Sequence, residues 1–527
     1  MSKHNKQKRK EEKVLKETMT IVKEWWVNLY LFLMFVVFVF YAPDKYGYIG
    51  NNKIAFFEKV TAVFLFIFIS FEIITFINKI IKKEKISFKT TLIDKAMILW
   101  GLWIVVSFFF SSYKKDSLFG YDGWRMGLYA QLAMILSFFA VKKYVQKTEK
   151  ILYLAVAALV AESLMVVVQR LGFDPLGFYE NMGIMDWNRR NLLGTMGNIN
   201  WLMGYQICVI PVIIWFYVSV KETYKRVIFA IGTFIVIAAV FLQGSSSGLV
   251  GVAGIIYVLF LIYAKDAGKI ARILEILFGM CAFWLIFSIF NVPLLEPEEM
   301  DTTRVYSLLW LIPTVVLAPA ILGIYFYINK SQKETIPKSI STLIRAGLIS
   351  VSVIGIGLFT AIQFSDSLWL LLGAKESLRI NDLSGSGRIL LWRKCLEYYF
   401  SDSSIKEFIF GFGPDCFGYW YQTKDIVIPV EGGPFAGAVF TNGHNDLLTA
   451  LVNYGFTGLI IYASTFVAML ITFFKRGKNN GFNWSLLGII LLVGYLLNNM
   501  FSFQQVCATP IFYLVAALVI HESQKQA

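Results

Sequence analysis

The chain has 527 residues, of which 57% are hydrophobic and only 16% charged, and its mean hydropathy is +0.62. Soluble domains carry about 25% charged residues, so the composition argues against a soluble enzyme, a disordered chain or a fibre and asks for a membrane protein. The formal net charge of +14 is read as Lys- and Arg-rich cytoplasmic loops, with no nucleic-acid partner.

A span needs roughly 20 mostly apolar residues. The basic stretch Met1 to Lys23 runs into a long apolar segment without a small-residue cleavage site. It is therefore expected to be a cytoplasmic tail, disordered over 3–16, leading into a retained first span. Apolar runs follow at about 25–41, 56–78, 92–110, 126–141, 151–169, 200–219, 227–242, 247–264, 270–290, 305–328, 346–363, 446–474, 484–500 and 508–521. In hydrocarbon every backbone polar group must be satisfied within the segment, so these runs are expected to be helices. The gap at Gly244–Ser247 fits either a tight hairpin or a broken helix. The expected fold is all-α, a polytopic bundle of about 14 spans. It divides into a basic tail (1–24), the first eleven spans (25–363), a long outward loop (364–443) and the last three spans (444–527).

Lys and Arg counts fix the expected orientation. With a cytoplasmic N-terminus, inside segments carry 31 of them and outside segments 17, as the positive-inside bias requires. Both termini are then cytoplasmic. The outside basic residues concentrate in the long loop, and a loop of such length without structure is uncommon unless functional. One helix is expected there, starting near Gly387 with Ser384 or Ser386 as cap. Leu391, Trp392, Cys395, Leu396 and Tyr399 form a stripe along it at helical spacing. The stripe fits either the membrane surface or the mouth of the bundle.

The five cysteines have no metal-ligand spacing, and whether Cys395 and Cys416 pair is open. There is no Walker-type phosphate loop, and the first outside loop holds one lone acid, Asp44. No metal site or cofactor is expected.

Of three histidines, only His444 faces outward, in Thr441-Asn442-Gly443-His444-Asn445-Asp446 at the start of the twelfth span. One reading is a helix-start segment capped by Thr441, Asn442 or Asp446. The other is a general base, since neutral imidazole accepts a hydroxyl proton near neutral pH. Arg388, in the first turn of the loop helix, is either a solvated helix residue or a bidentate clamp on a phosphate, aided by the N–H groups of that helix start. Arg393 and Lys394 read as surface charge. Arg189 and Arg190 precede Gly194-Thr-Met-Gly197-Asn198-Ile-Asn200, which is either a capped helix start or an anion contact with amides for sugar hydroxyls. Glu162 lies inside the fifth span, where an acid is costly and often functional or is bonded to a neighbour. The polar segment Gln243-Gly-Ser-Ser-Ser247-Gly lies at membrane depth.

Five pieces in order carry a family likeness: Gly194-Thr-Met-Gly-Asn198-Ile-Asn200; Gly244-Ser-Ser-Ser-Gly; Gly387-Arg388-x3-Trp392; Gly411-x-Gly413-x3-Phe417; and Gly443-His444-Asn445-x8-Tyr454-Gly455-x2-Gly458. Over about 190–470 the chain resembles the O-antigen ligase and O-antigen polymerase superfamily. The resemblance implies a bacterial plasma-membrane glycosyltransferase, inverting and metal-independent. Its donor would be an undecaprenyl-diphosphate-linked glycan, and its acceptor a glycan or other surface polymer. It implies that Arg388 holds the lipid diphosphate and that His444 assists the acceptor hydroxyl. Trp392 and Asn445 belong to the matching motifs, and Asn198 and Asn200 are candidate sugar contacts. Arg189 or Arg190 match the family's other arginines by neighbourhood. Where the family often has an arginine this chain has Ser245-Ser246-Ser247, and Arg304 is a candidate replacement. Two other classes stand against this expectation. A lipid-linked oligosaccharide flippase would show related halves and midplane sites, and no such symmetry is visible. A sensor or scaffold has no cytoplasmic domain to carry a signal.

Overall fold

The computed structural model describes residues 3–85, 90–180, 191–289, 311–371, 379–382, 384–385, 387–424 and 440–526. Each of the fourteen apolar runs has a helix on it. Among the described residues, ten helices are long and apolar enough to cross a membrane. The other four runs form Leu128–Tyr144, Ala267–Ile289, Trp484–Asn499 and Thr509–Lys525. The protein is therefore an all-α polytopic bundle.

The first helix starts at Lys3 and reaches Phe32, then passes through a π-helical turn, Leu33–Val37, to Phe40. The expected disorder over 3–16 is thus replaced by helix. No Gly or Pro interrupts residues 3–40, and Lys and Glu are good helix formers, so the apolar span propagates its helix into the tail.

Burial follows polarity. The helix Ile199–Ser219 is apolar on all sides and almost wholly buried, as such helices must be. It packs with Trp484–Asn499 and Thr509–Lys525 at the centre. Ile312–Ser331 and Lys338–Phe364 instead expose their apolar faces at the periphery, which suits lipid contact.

The two ends of the bundle are distinct. One end collects ion pairs: Lys23 and Lys143 on Glu72 at 2.7 and 2.8 Å, and Lys142 on Asp94. There Thr148 also donates to Glu522 at 2.6 Å. The other end collects a short hairpin at 192–198, the turn at 243–247, the loop helix Arg388–Asp402 and the segment 441–446. The hairpin pairs Leu192 with Asn198 and Leu193 with Gly197.

The helix Asp446–Asn480 is broken at Gly455, whose φ is +74°. The break frees carbonyls that must find donors. Phe412 N–H donates to Val452 O at 3.0 Å and Gly413 N–H to Asn453 O at 2.9 Å. Trp103 Nε1 donates to Tyr454 O at 3.0 Å, and Ser107 Oγ donates to Asn453 O at 3.2 Å. The Gly411-x-Gly413 and Tyr454-Gly455 pieces are therefore two halves of one backbone junction. Only glycine fits at Gly411 and Gly455, because a Cβ on either would fall on the backbone of the other segment.

Candidate functional site

The loop helix runs Arg388–Asp402 and begins after Gly387, which has a left-handed backbone and no side-chain cap. Ser384 is not the cap; its Oγ accepts from Asn381 N–H at 2.9 Å. Leu391, Cys395 and Tyr399 are fully buried. They pack with Phe417 and Trp420 onto Leu448, Leu451 and Val452 of the broken helix. The stripe thus faces the bundle mouth, with Leu396 left exposed. Cys395 and Cys416 are free thiols buried in the same cluster. Trp392 Nε1 donates to Gly443 O at 2.8 Å, tying the loop helix to the segment that carries His444.

That segment is a chain of local bonds. Asn442 Oδ1 accepts from His444 N–H at 3.0 Å, and Thr449 Oγ1 accepts from Gly443 N–H at 3.0 Å. His444 adopts a left-handed φ of 45°, uncommon for a side chain with Cβ. The helix cap is Asn445, not Thr441, Asn442 or Asp446: its Oδ1 accepts from Leu448 N–H at 3.0 Å. Its Nδ2 donates to Met500 O at 3.1 Å. Asn445, expected to contact substrate, is thus committed at both polar atoms within the protein.

The His444 ring stands edge-to-face between Phe440 and Phe503, at 5.8 and 5.5 Å. Burial pushes its pKa down to about 3, and the nearby Arg388 guanidinium pushes the same way. His444 is therefore neutral at physiological pH, so its ring is open to a proton, but burial and Arg388 acting alone leave it a weak base, and a bound anion offsetting Arg388 would raise it. Arg388 is half-buried, its Nε has no hydrogen-bond partner among the described residues, and burial lowers its pKa. Arg393 pairs with Asp382 and Lys394 with Glu397 at the surface, as expected of plain surface charge.

The Gly194-to-Asn200 piece reaches the same end of the bundle as a structural knot. Thr195 N–H donates to Glu162 Oε1 at 2.7 Å, and Thr195 Oγ1 lies 2.8 Å from Glu162 Oε2. Lys53 Nζ, fully buried, donates to the carbonyls of Phe38 and Val39 at 2.5 and 2.7 Å. Gly194 has positive φ, and a Cβ there would fall on Glu162. Glu162 thus takes its bonded reading. Asn198 caps the following helix by accepting from Asn200 N–H at 2.8 Å. Asn200 O accepts from Gln505 Nε2 at 3.3 Å. No bond joins either asparagine to His444 or Arg388. An aromatic row does link the two regions: Trp201 meets Trp124 at 5.4 Å, Trp124 meets Phe503 at 4.9 Å, and Phe503 meets His444. Arg189, Arg190 and Arg304 lie outside the described residues.

The gap at 244–247 is a tight hairpin through left-handed Gly244, with Ser245 and Ser247 hydroxyls 3.1 Å apart. Two residues here were not foreseen. Arg170, at the end of its helix, reaches Gln243 O at 3.5 Å. Asp415 Oδ2 accepts from Tyr121 N–H at 2.8 Å and Met126 N–H at 2.9 Å, holding the 121–126 turn. Burial raises Asp415 to about 7. Its only sequence signal is an acid inside a Gly-Pro turn.

In comparisons with known proteins, no protein-family model matches this chain and no curated protein matches it.

Proposed function

We propose that the chain is a bacterial plasma-membrane glycosyltransferase of the O-antigen ligase type. It moves a glycan from undecaprenyl diphosphate to a hydroxyl of a glycan or other cell-surface acceptor, with inversion and without a metal. In this reading the chain crosses the bilayer about fourteen times, its termini are cytoplasmic, and loop 364–443 is extracytoplasmic. The observation that carries it is the nearness of neutral His444 to half-buried Arg388, whose Nε has no partner among the described residues.

The chemistry follows from those two groups. The acceptor oxygen attacks the anomeric carbon and forms the new glycosidic bond. The bond from that carbon to the diphosphate oxygen breaks, and the electron pair leaves with the lipid diphosphate. The hydroxyl proton passes to a ring nitrogen of His444. Arg388 stabilises the charge that grows on the diphosphate. Polymerisation of repeat units shares these steps and differs only in the acceptor, a second lipid-linked glycan.

The test is transfer by purified protein in lipid, with His444→Ala and Arg388→Ala compared at equal folding. Loss of transfer in both supports the reading, and full activity in both overturns it.

A further inference from the structure

A small cavity, large enough for a water molecule, adjoins the His444 turn. Asp415, Asp446, Gln131, Asn453 and Gln504 are among the residues that line it. Asp415 and Asp446 are 8% and 5% exposed. Their carboxylates receive neutral donors: two backbone N–H groups on Asp415, and the Tyr462 hydroxyl on Asp446 at 2.7 Å. The lining contains no Lys or Arg among the described residues.

Two further oxygens are open. Gln131 Nε2 donates to Gln504 Oε1 at 2.6 Å and faces Met126 O at 3.4 Å, which fixes the direction of the amide. Gln131 Oε1 is then a buried acceptor without a donor, and Asn453 Oδ1 is another. Both residues are at least nine-tenths buried. Two unpaired amide oxygens thus belong to the same lining as two carboxylates.

Buried charge is tolerated when it is paired or coordinated. A water molecule would satisfy the amide oxygens but add no charge. A proton on one carboxyl would remove charge but leave the amides open. A small hard cation does both, and oxygen is its ligand. Magnesium demands near-octahedral geometry and keeps several waters, for which this cavity has no room.

We propose that the chamber binds a monovalent, sodium-sized cation through the carboxylates of Asp415 and Asp446 and the amide oxygens of Gln131 and Asn453. Such an ion joins the 121–126 turn to the start of the broken helix and sets the position of the His444 turn. It takes no part in bond making, so the proposal stands apart from the reaction proposed above.

The test is thermal unfolding of the purified full chain in detergent, in NaCl, KCl or choline chloride at constant ionic strength. A saturable rise in Tm with sodium over choline is expected. Gln131→Leu and Asp446→Asn should each abolish the sodium increment, whatever their own Tm. Gln131→Leu keeps both carboxylates, so it still reports if Asp446→Asn does not fold. Equal Tm in sodium and choline, or an unchanged sodium increment in Gln131→Leu, would overturn the proposal.

Discussion

Trp392 and Gly443 are joined by a single hydrogen bond of 2.8 Å, from the indole Nε1 to the main-chain carbonyl. Trp392 lies four positions after Arg388, and Gly443 precedes His444, so this bond holds the proposed clamp and the proposed base in one frame. Trp392→Phe keeps a ring in place and removes the donor. Stability should fall by about 0.5–1.5 kcal/mol, while kcat falls about tenfold or more through misplacement. Measuring Tm beside kcat separates the two effects; loss of Tm with kcat intact would deny Trp392 a positioning role.

His444 gives a pH prediction. An ordinary histidine titrates at about 6.5, whereas burial and Arg388 hold this one down to about 3. The folded state therefore resists the proton that the unfolded state accepts. Stability is intact above about 6.5 and declines as pH falls from there toward 3. His444→Gln should flatten that part of the curve. In kcat/KM, which reports the free enzyme, no acid limb should appear near 6.5. A limb there would mean a solvated histidine.

Gly455→Ala tests the junction between the broken helix and Gly411. The new methyl meets the Ile409 carbonyl, and the left-handed φ of +74° adds strain. A loss of more than about 2 kcal/mol is expected. Thermal unfolding checks this, and a neutral outcome would mean that the helix runs straight through.

Asn198→Ala separates a cap from a sugar contact. Losing the bond to Asn200 N–H should cost about 1 kcal/mol and leave KM unchanged. A raised KM at unchanged stability would return Asn198 to the substrate.

The helices were legible because each apolar run is a local property with a length scale. The loop helix and its buried stripe were legible for the same reason. The break at Gly455 was not: a glycine in an apolar run reads as span, and the donors that compensate the break, Trp103 and Ser107, lie more than 300 positions away. The cap at Asn445 was missed because four capping residue types crowd six positions, and the bond to Met500 helps choose among them. Asp415 was invisible because its partners are backbone amides of a distant turn. The neutrality of His444 depends on burial, to which Phe503 from a distant segment contributes, and on Arg388, neither of them next to it in sequence.

The most direct measurement is the lipid-linked glycan profile of a strain lacking this protein, complemented with the native chain or with His444→Ala. The account predicts that the empty strain and the His444→Ala strain both accumulate outward-facing lipid-linked glycan, long polymer for a ligase or single repeat units for a polymerase. Units trapped facing the cytoplasm, or a His444→Ala strain indistinguishable from the native one, would contradict it.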